Sequence, residues 1–239
     1  MVHQLQHIIN KGGNTLKKFI ALLSVVCLIV VTLLTSTTSR ANASIASKID
    51  QNMLSIMDDV SKLATQDPQA AMNSNPYSYI DNANYKSIID LGSEALPILV
   101  DRIDQSKKNG LKEYILAIAT EEISKVDLKK DRWEWSTAKE FTKVWKTHLN
   151  KIPTNVNKIA SSNEANNKKV QELVLLGTPA IPFIMEKIEQ GNTELFPSLD
   201  QLLRGNPNFT MNQITDGSEW VKKHKSQFND LRDLVNKES

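Results

Sequence analysis

The chemistry open to this chain depends on where its carboxylates, imidazoles and large aromatic rings fall. Four histidines occur in 239 residues. Two of them, His148 and His224, lie on matching late helices that each follow a capping box, Thr137-x-x-Glu140 and Asp216-x-x-Glu219. Counted from the boxes, His148 stands opposite Gln227 and His224 opposite Trp145. Neither histidine has an acidic or histidine partner three or four residues away on its own helix, so the spacing of a zinc site is missing, and no metal or cofactor is expected. Glu121-Glu122 and Asp131/Glu134 offer carboxylates. Adjacent helical side chains point about 100° apart, so the first pair does not converge unaided on one substrate. The chain has no G-x-S-x-G, phosphate-binding glycine loop or H-E-x-x-H. A hydrolytic site would have to be assembled without a motif, for example from Tyr77, Glu121 and His148. The remaining candidates are contact residues: Trp133 and Trp135 in the charged stretch DLKKDRWEW, and Tyr77 and Tyr79 after Pro76. Exposed tryptophans offer large contact area with few rotamers to lose. Placed two and four residues before a capping box, the same rings can instead pack under the helix as a cover, and both readings stand.

The elements that must position these residues are organised around a stretch that occurs twice, LGSEALPILVDRI at Leu91 to Ile103 and LGTPAIPFIMEKI at Leu176 to Ile188. In each copy an apolar-faced helix runs into a glycine, Gly92 or Gly177, that supplies the left-handed residue common at helix ends. Ser93 and Thr178 are placed to act as N-cap hydroxyls of a second helix, with Pro179 at its first position in the second copy. Pro97 and Pro182 come early enough to be tolerated. Helix, break, helix, with apolar residues on both arms, is the unit of an α-solenoid. Both glycines are expected to resist β-branched replacement at a similar cost, on the order of 1 to 2 kcal/mol.

The LGxxAxPxL core at Leu91 to Leu99 and Leu176 to Ile184 resembles HEAT and armadillo-like helical repeats. The longer run NPYSYIDNANYKSIIDLGSEALPILVDRI, with NGLKEYILAIATEEISKVDLKK and WSTAKEFTKVW, is similar to uncharacterised secreted proteins of Gram-positive bacteria. The likeness covers roughly Asn75 to Trp145 and, more loosely, the second copy. It implies a helical fold and export, and carries no activity with it.

Residues 1–43 read as an export signal. Lys11, Lys17 and Lys18 form a basic start, Phe19 to Leu34 a nearly uninterrupted apolar core, and Ala41-Asn42-Ala43 a small-x-small cleavage site. An uncleaved membrane anchor is the alternative, although the core is short of the roughly 20 residues needed to span. Without this segment, which holds Lys11, Lys17, Lys18, Arg40 and no acid, the 29 basic and 27 acidic residues become 25 against 27. A near-neutral domain with no basic run is a poor binder of nucleic acid or anionic membrane, and contact with the membrane is expected only transiently, through the signal.

Residues 44–74 form an amphipathic helix, Ile45, Ile49, Met53, Ile56, Val60 and Leu63 on one stripe, followed by a linker. Residues 75–153 and 154–239 are the two repeat units. In the first, Leu111 to Val126 is helical and Asp127 to Trp135 a loop. Ile152 to Asn167, between the copies, reads as a short helix and a turn. In the second, Thr193 caps a helix to Arg204, and Phe209 to Thr215 is an ordered loop. No stretch shows the period-two alternation of a sheet. The expected fold is all-α, a short HEAT-like solenoid of two duplicated multi-helix units. The expected function is that of a secreted, non-enzymatic scaffold for a protein, peptide or cell-envelope partner, with an exported hydrolase or envelope-processing enzyme as the alternative.

Overall fold

Gly92 and Gly177, at equivalent positions of the two stretches, both have positive φ, 68° and 77°. Each ends one helix and starts another in the computed structural model, which describes residues 42–67, 75–129, 135–206, 209 and 216–238. The described residues are helical or loop, with no strand among them. Residues 45–239 form one compact unit.

Helix α1 covers residues 42–66. After a 3-10 turn at Pro76–Tyr79 come α2 (Ala83–Ile89), a 3-10 turn at Gly92–Ala95, α3 (Leu96–Gln105), α4 (Leu111–Ser124) and α5 (Ala138–Ala160). Next come α6 (Asn166–Leu175), a 3-10 turn at Thr178–Ala180, α7 (Ile181–Glu189), a 3-10 turn at Thr193–Leu195 and α8 (Phe196–Leu203). A last pair, α9 (Gly217–His224) and α10 (Asn229–Glu238), is joined by a 3-10 turn at Lys225–Phe228.

The breaks are built differently from the hydroxyl caps expected at Ser93 and Thr178. Neither side chain caps a helix. The tighter 3-10 turn satisfies the orphan N–H groups instead, with Leu96 N–H bonded to Ser93 O and Ile181 N–H to Thr178 O. The α-helices therefore begin at Leu96 and Ile181, which puts Pro97 and Pro182 in the first turn, where a missing N–H costs nothing. Thr193 likewise sits inside a 3-10 turn and caps nothing. The boxes fare better. Thr137 and Glu140 bond reciprocally, and the Asp216 carboxylate accepts from Ser218 and Glu219 N–H.

Two boundaries shift. α5 runs unbroken for 23 residues through Pro153, so the division expected between residues 153 and 154 falls inside a helix. The break lies at Ser161–Ala165. Leu149, Ile152 and Val156, all fully buried, hold α5 together where an isolated proline would cost roughly 3 kcal/mol. The helix expected after Asp216 is divided by its 3-10 turn into α9 and α10.

Packing brings the pieces into one continuous core. α3 lies on α4 and α5, α6 on α8, and α7 on α8, α9 and α10, while α5 touches α6 and α7. α10 returns to contact α5 and the turns after both glycines. Lysines close several helix ends, where carbonyls lack partners and the dipole favours a cation. Lys139 Nζ donates to Ile103 O and Asp104 O at the end of α3, the buried Lys169 to Ala160 O at the end of α5, and Lys125 to Arg204 O just past α8.

Only part of the α1 stripe is used. Ile45, Ile49, Met53 and Ile56 are buried, whereas Val60 is half-buried and Leu63 is 36% exposed. Arg102 makes a two-pronged bond to Asp50 at 2.9 and 2.7 Å, fixing the first turns of α1 against α3. Ile49→Ala is accordingly expected to cost about 2 to 5 kcal/mol, and Leu63→Ala under about 0.5 kcal/mol. Urea unfolding of the two variants tests this, and similar losses from both would place the whole stripe in the core.

Candidate functional site

Two of the candidate contact residues, Tyr77 and Trp135, meet at the end of α4. Tyr114 and Glu121 are seven residues apart and so share a helix face. Lys125, with φ 57°, ends α4 in the left-handed region and turns the chain so that Val126 and Leu128 enter the core. Leu128 N–H then donates to Glu121 Oε1 at 3.0 Å, and Trp135 Nε1–H to the same oxygen at 3.1 Å. The Trp135 ring lies 4.7 Å from Tyr114 and edge-on to Phe141 at 5.2 Å. Lys129 reaches back over it. Its Nζ is 4.1 Å from the Trp135 ring centre, 5.4 Å from Tyr114 and 5.8 Å from Tyr77, and it donates to Tyr114 Oη at 3.0 Å.

Of the four residues named from the sequence, Tyr77 and Trp135 are brought together around Lys129. Tyr77 is 46% exposed and Trp135 only 3%, so Trp135 is a covered ring, not an exposed anchor. Tyr79 packs half-buried against the core, and Trp133, with Asp131 and Glu134, lies outside the described residues. Tyr114 and Lys129 went unnoticed in the sequence. The seven-residue spacing of Tyr114 and Glu121 was the available signal, but nothing in it shows that the chain after α4 folds back over both.

Electrostatics separate the two glutamates of α4. Burial pushes the Glu121 carboxyl above its ordinary value, against the opposing pull of the Trp135 and Leu128 N–H donors and of Lys129. Glu122 accepts from Tyr85 Oη at 2.8 Å, and burial, with that carboxylate beside it, raises the Tyr85 phenol. Burial pulls the Lys129 ammonium down, yet its bond to Tyr114 and its electrostatic interactions with Tyr77, Tyr114 and Glu121 leave it above its usual value. A raised carboxyl is the property wanted in a general acid, but Glu121 Oε1 is already committed to two donors. His148 is not beside it. Its Nε2 meets Leu176 O at 3.0 Å, and its ring stacks on Trp145 further along the ladder of rings. His224 Nδ1 meets Trp220 O at 2.8 Å. Because a carbonyl only accepts, each of these nitrogens carries the proton. Among the described residues no group of three or more His, Cys, Asp or Glu is placed to hold a metal ion.

The raised Glu121 carboxyl has a testable consequence. A folded state that favours the protonated form is stabilised below the ordinary glutamate value near pH 4.3 and loses that contribution as pH rises through the raised value. Glu121→Gln, which cannot ionise, should therefore gain in melting temperature relative to the parent as pH rises from about 4.3 through the raised value. A difference that stays flat or reverses over that range would remove the assignment.

A second feature is an open groove of about 740 Å³. The first glycine break, the end of α4, Arg204 to Asn206 and the start of α10 frame it, and Leu91, Ile123, Phe209, Phe228 and Leu231 form its apolar part. Asp90, Glu94, Glu122 and Asp230 outnumber Lys125 and Arg204 along it. Thr178 also lines it, though its Oγ1 is buried without a hydrogen-bond partner. Searches against family models, curated proteins and solved structures found no match to this chain.

Proposed function

We propose that the chain is an exported, non-enzymatic helical-repeat scaffold that binds a protein, peptide or cell-envelope component through the groove above. The observation that carries this reading is the groove itself, apolar at its floor, acidic along its edges and drawn from five separated parts of the chain. The repeat reading draws support from equivalent positions. Both glycines have positive φ, both are followed by a 3-10 turn with a proline in the next α-turn, and Phe141/Trp145 and Trp220/His224 each stack at i, i+4 (6.0 and 4.4 Å). Short solenoids of this kind present a surface and need no catalytic residues. The hydrolase alternative has only the raised Glu121 carboxyl in its favour.

Export rests on the basic start, apolar core and Ala-x-Ala of residues 1–43, together with a compact unit that begins at Ile45. N-terminal sequencing of the protein from culture medium should read from Ser44, and full-length protein held in the membrane would refute cleavage. Among the described residues no helix is long and apolar enough to cross a membrane; Phe19 to Leu34 lies outside them. For the groove, a Glu94→Arg, Asp230→Arg double variant reverses two exposed rim charges and should melt within a few degrees of the parent. Immobilised parent should capture an envelope component that this variant does not. Equal capture by both would exclude the groove as the binding surface.

A further inference from the structure

The rings around Lys129 are arranged as a cation site, and the chain fills it with its own lysine. Three aromatic faces surround one point: Trp135 at 4.1 Å, Tyr114 at 5.4 Å and Tyr77 at 5.8 Å from Nζ. A ring face is the negative end of a quadrupole, so each attracts a cation held above it. Glu121 stands behind Trp135, bound to its Nε1–H, and adds a carboxylate within electrostatic reach of the ammonium. The floor is rigid, because Trp135 is wedged between Tyr114 and Phe141 and is 3% exposed. The mouth opens to solvent through Tyr77, 46% exposed. None of these residues lines the groove, so the site is independent of the function proposed above.

The distances suit a larger cation than the one present. A methyl carbon lies about 1.45 Å from its nitrogen and touches a ring carbon at roughly 3.5 to 4.0 Å, which places a methylated nitrogen roughly 5 to 5.5 Å from a ring. Tyr114 is at that distance, Tyr77 is close to it, and only Trp135 sits where a bare ammonium belongs. Lys129 is also the movable member. It is a flexible stem leaving a turn whose backbone is pinned one residue earlier by Leu128 N–H on Glu121.

We propose that Tyr77, Tyr114 and Trp135, backed by Glu121, form an aromatic cage for a small quaternary ammonium group, and that the Lys129 side chain is an internal occupant which the ligand displaces. An occupant that must leave lowers the apparent affinity by the fraction of time the cage is open. Removing it should raise affinity.

The test uses the full chain, with choline and glycerophosphocholine as probes for a free solute and a lipid headgroup. The control is 3,3-dimethylbutan-1-ol, the uncharged shape of choline. Binding is read by tryptophan fluorescence and by the upfield shift of the ligand methyl protons over the rings. Choline or glycerophosphocholine should bind Lys129→Ala about tenfold or more tighter than the parent, the alcohol should bind neither, and adding Tyr77→Ala should reverse the gain. The probe that binds better identifies the source. Lys129→Gln, which shortens the stem and removes the charge, takes the place of Lys129→Ala should that variant fail to fold. Affinity unchanged in the Lys129 variants, or equal binding of the neutral alcohol, overturns the cage.

Discussion

Gly177→Ala is expected to destabilise the protein by on the order of 3 to 5 kcal/mol, and Gly92→Ala by about 1 kcal/mol, although the two glycines occupy the same place in the two copies. Both have positive φ, which already disfavours a side chain. Gly177 adds two further penalties. Its φ of 77° with ψ of −176° lies in a region that essentially only glycine visits. A Cβ there would fall 2.3 Å from Val126 Cγ2 and 2.5 Å from Ser124 O, and the backbone carbonyl at the end of α4 cannot be moved by a rotamer change. At Gly92 a Cβ would meet nothing within 4 Å. The first break faces the groove, while the second is pressed against the end of α4. Against a typical stability of 5 to 15 kcal/mol, the loss at Gly177 would leave a chain that is marginal at physiological temperature (roughly). Equilibrium unfolding of the two alanine variants in urea decides the matter, and equal losses would mean that Val126 and Ser124 do not crowd Gly177 as described.

That asymmetry marks what the sequence could and could not show. The glycine breaks were legible because φ > 0 is a local demand that residue type answers. The all-helical class was legible in the same way, from apolar spacing along α3, α4 and α5. Crowding at Gly177 depends on Val126, which approaches only because Lys125 adopts φ 57°, and no spacing rule assigns a left-handed conformation to a lysine. The hydroxyl caps at Ser93 and Thr178 failed for a related reason. A capping side chain and a 3-10 turn satisfy the same orphan N–H groups, and the choice between them follows from how the first turn packs. The division expected between residues 153 and 154 failed because a local reading of the chain does not register the burial of Leu149, Ile152 and Val156, which carries α5 through Pro153.

The candidate site divides along the same line. Trp135 stood out in a charged loop and Tyr77 after Pro76, but their shared neighbour Lys129 and the ring of Tyr114 become visible only once the turn after α4 is folded. Aromatic contacts also account for the two histidines on the late helices. His224 and Trp145 each fall eight residues after a capping-box start, and each stacks on the ring four residues before it, Trp220 or Phe141. His224 thus fills a ring position on the helix surface, with its Nδ1–H turned to the carbonyl of Trp220.

Trp135→Ala is the second substitution expected to have a large effect, a loss of about 3 to 5 kcal/mol, and it tests how the rings are used. The indole is 3% exposed and touches Tyr114 and Phe141. Its Nε1–H is one of two donors on Glu121 Oε1, so truncation also leaves a part-buried carboxyl with Leu128 N–H as the remaining described partner of that oxygen. A domain of this size loses roughly 2 to 4 °C of melting temperature per kcal/mol, which puts the expected fall at roughly 6 to 20 °C. Tyr77→Ala, at a ring 46% exposed, should lower it by no more than a degree or two. Trp135→Phe keeps an aromatic face but drops the N–H, and should fall between the two, because area and stacking are largely retained while one charge-assisted hydrogen bond is lost. A Trp135→Ala variant melting like the parent would show that the ring is a free surface anchor and that the packing under α5 is held by Phe141 and Trp145 alone.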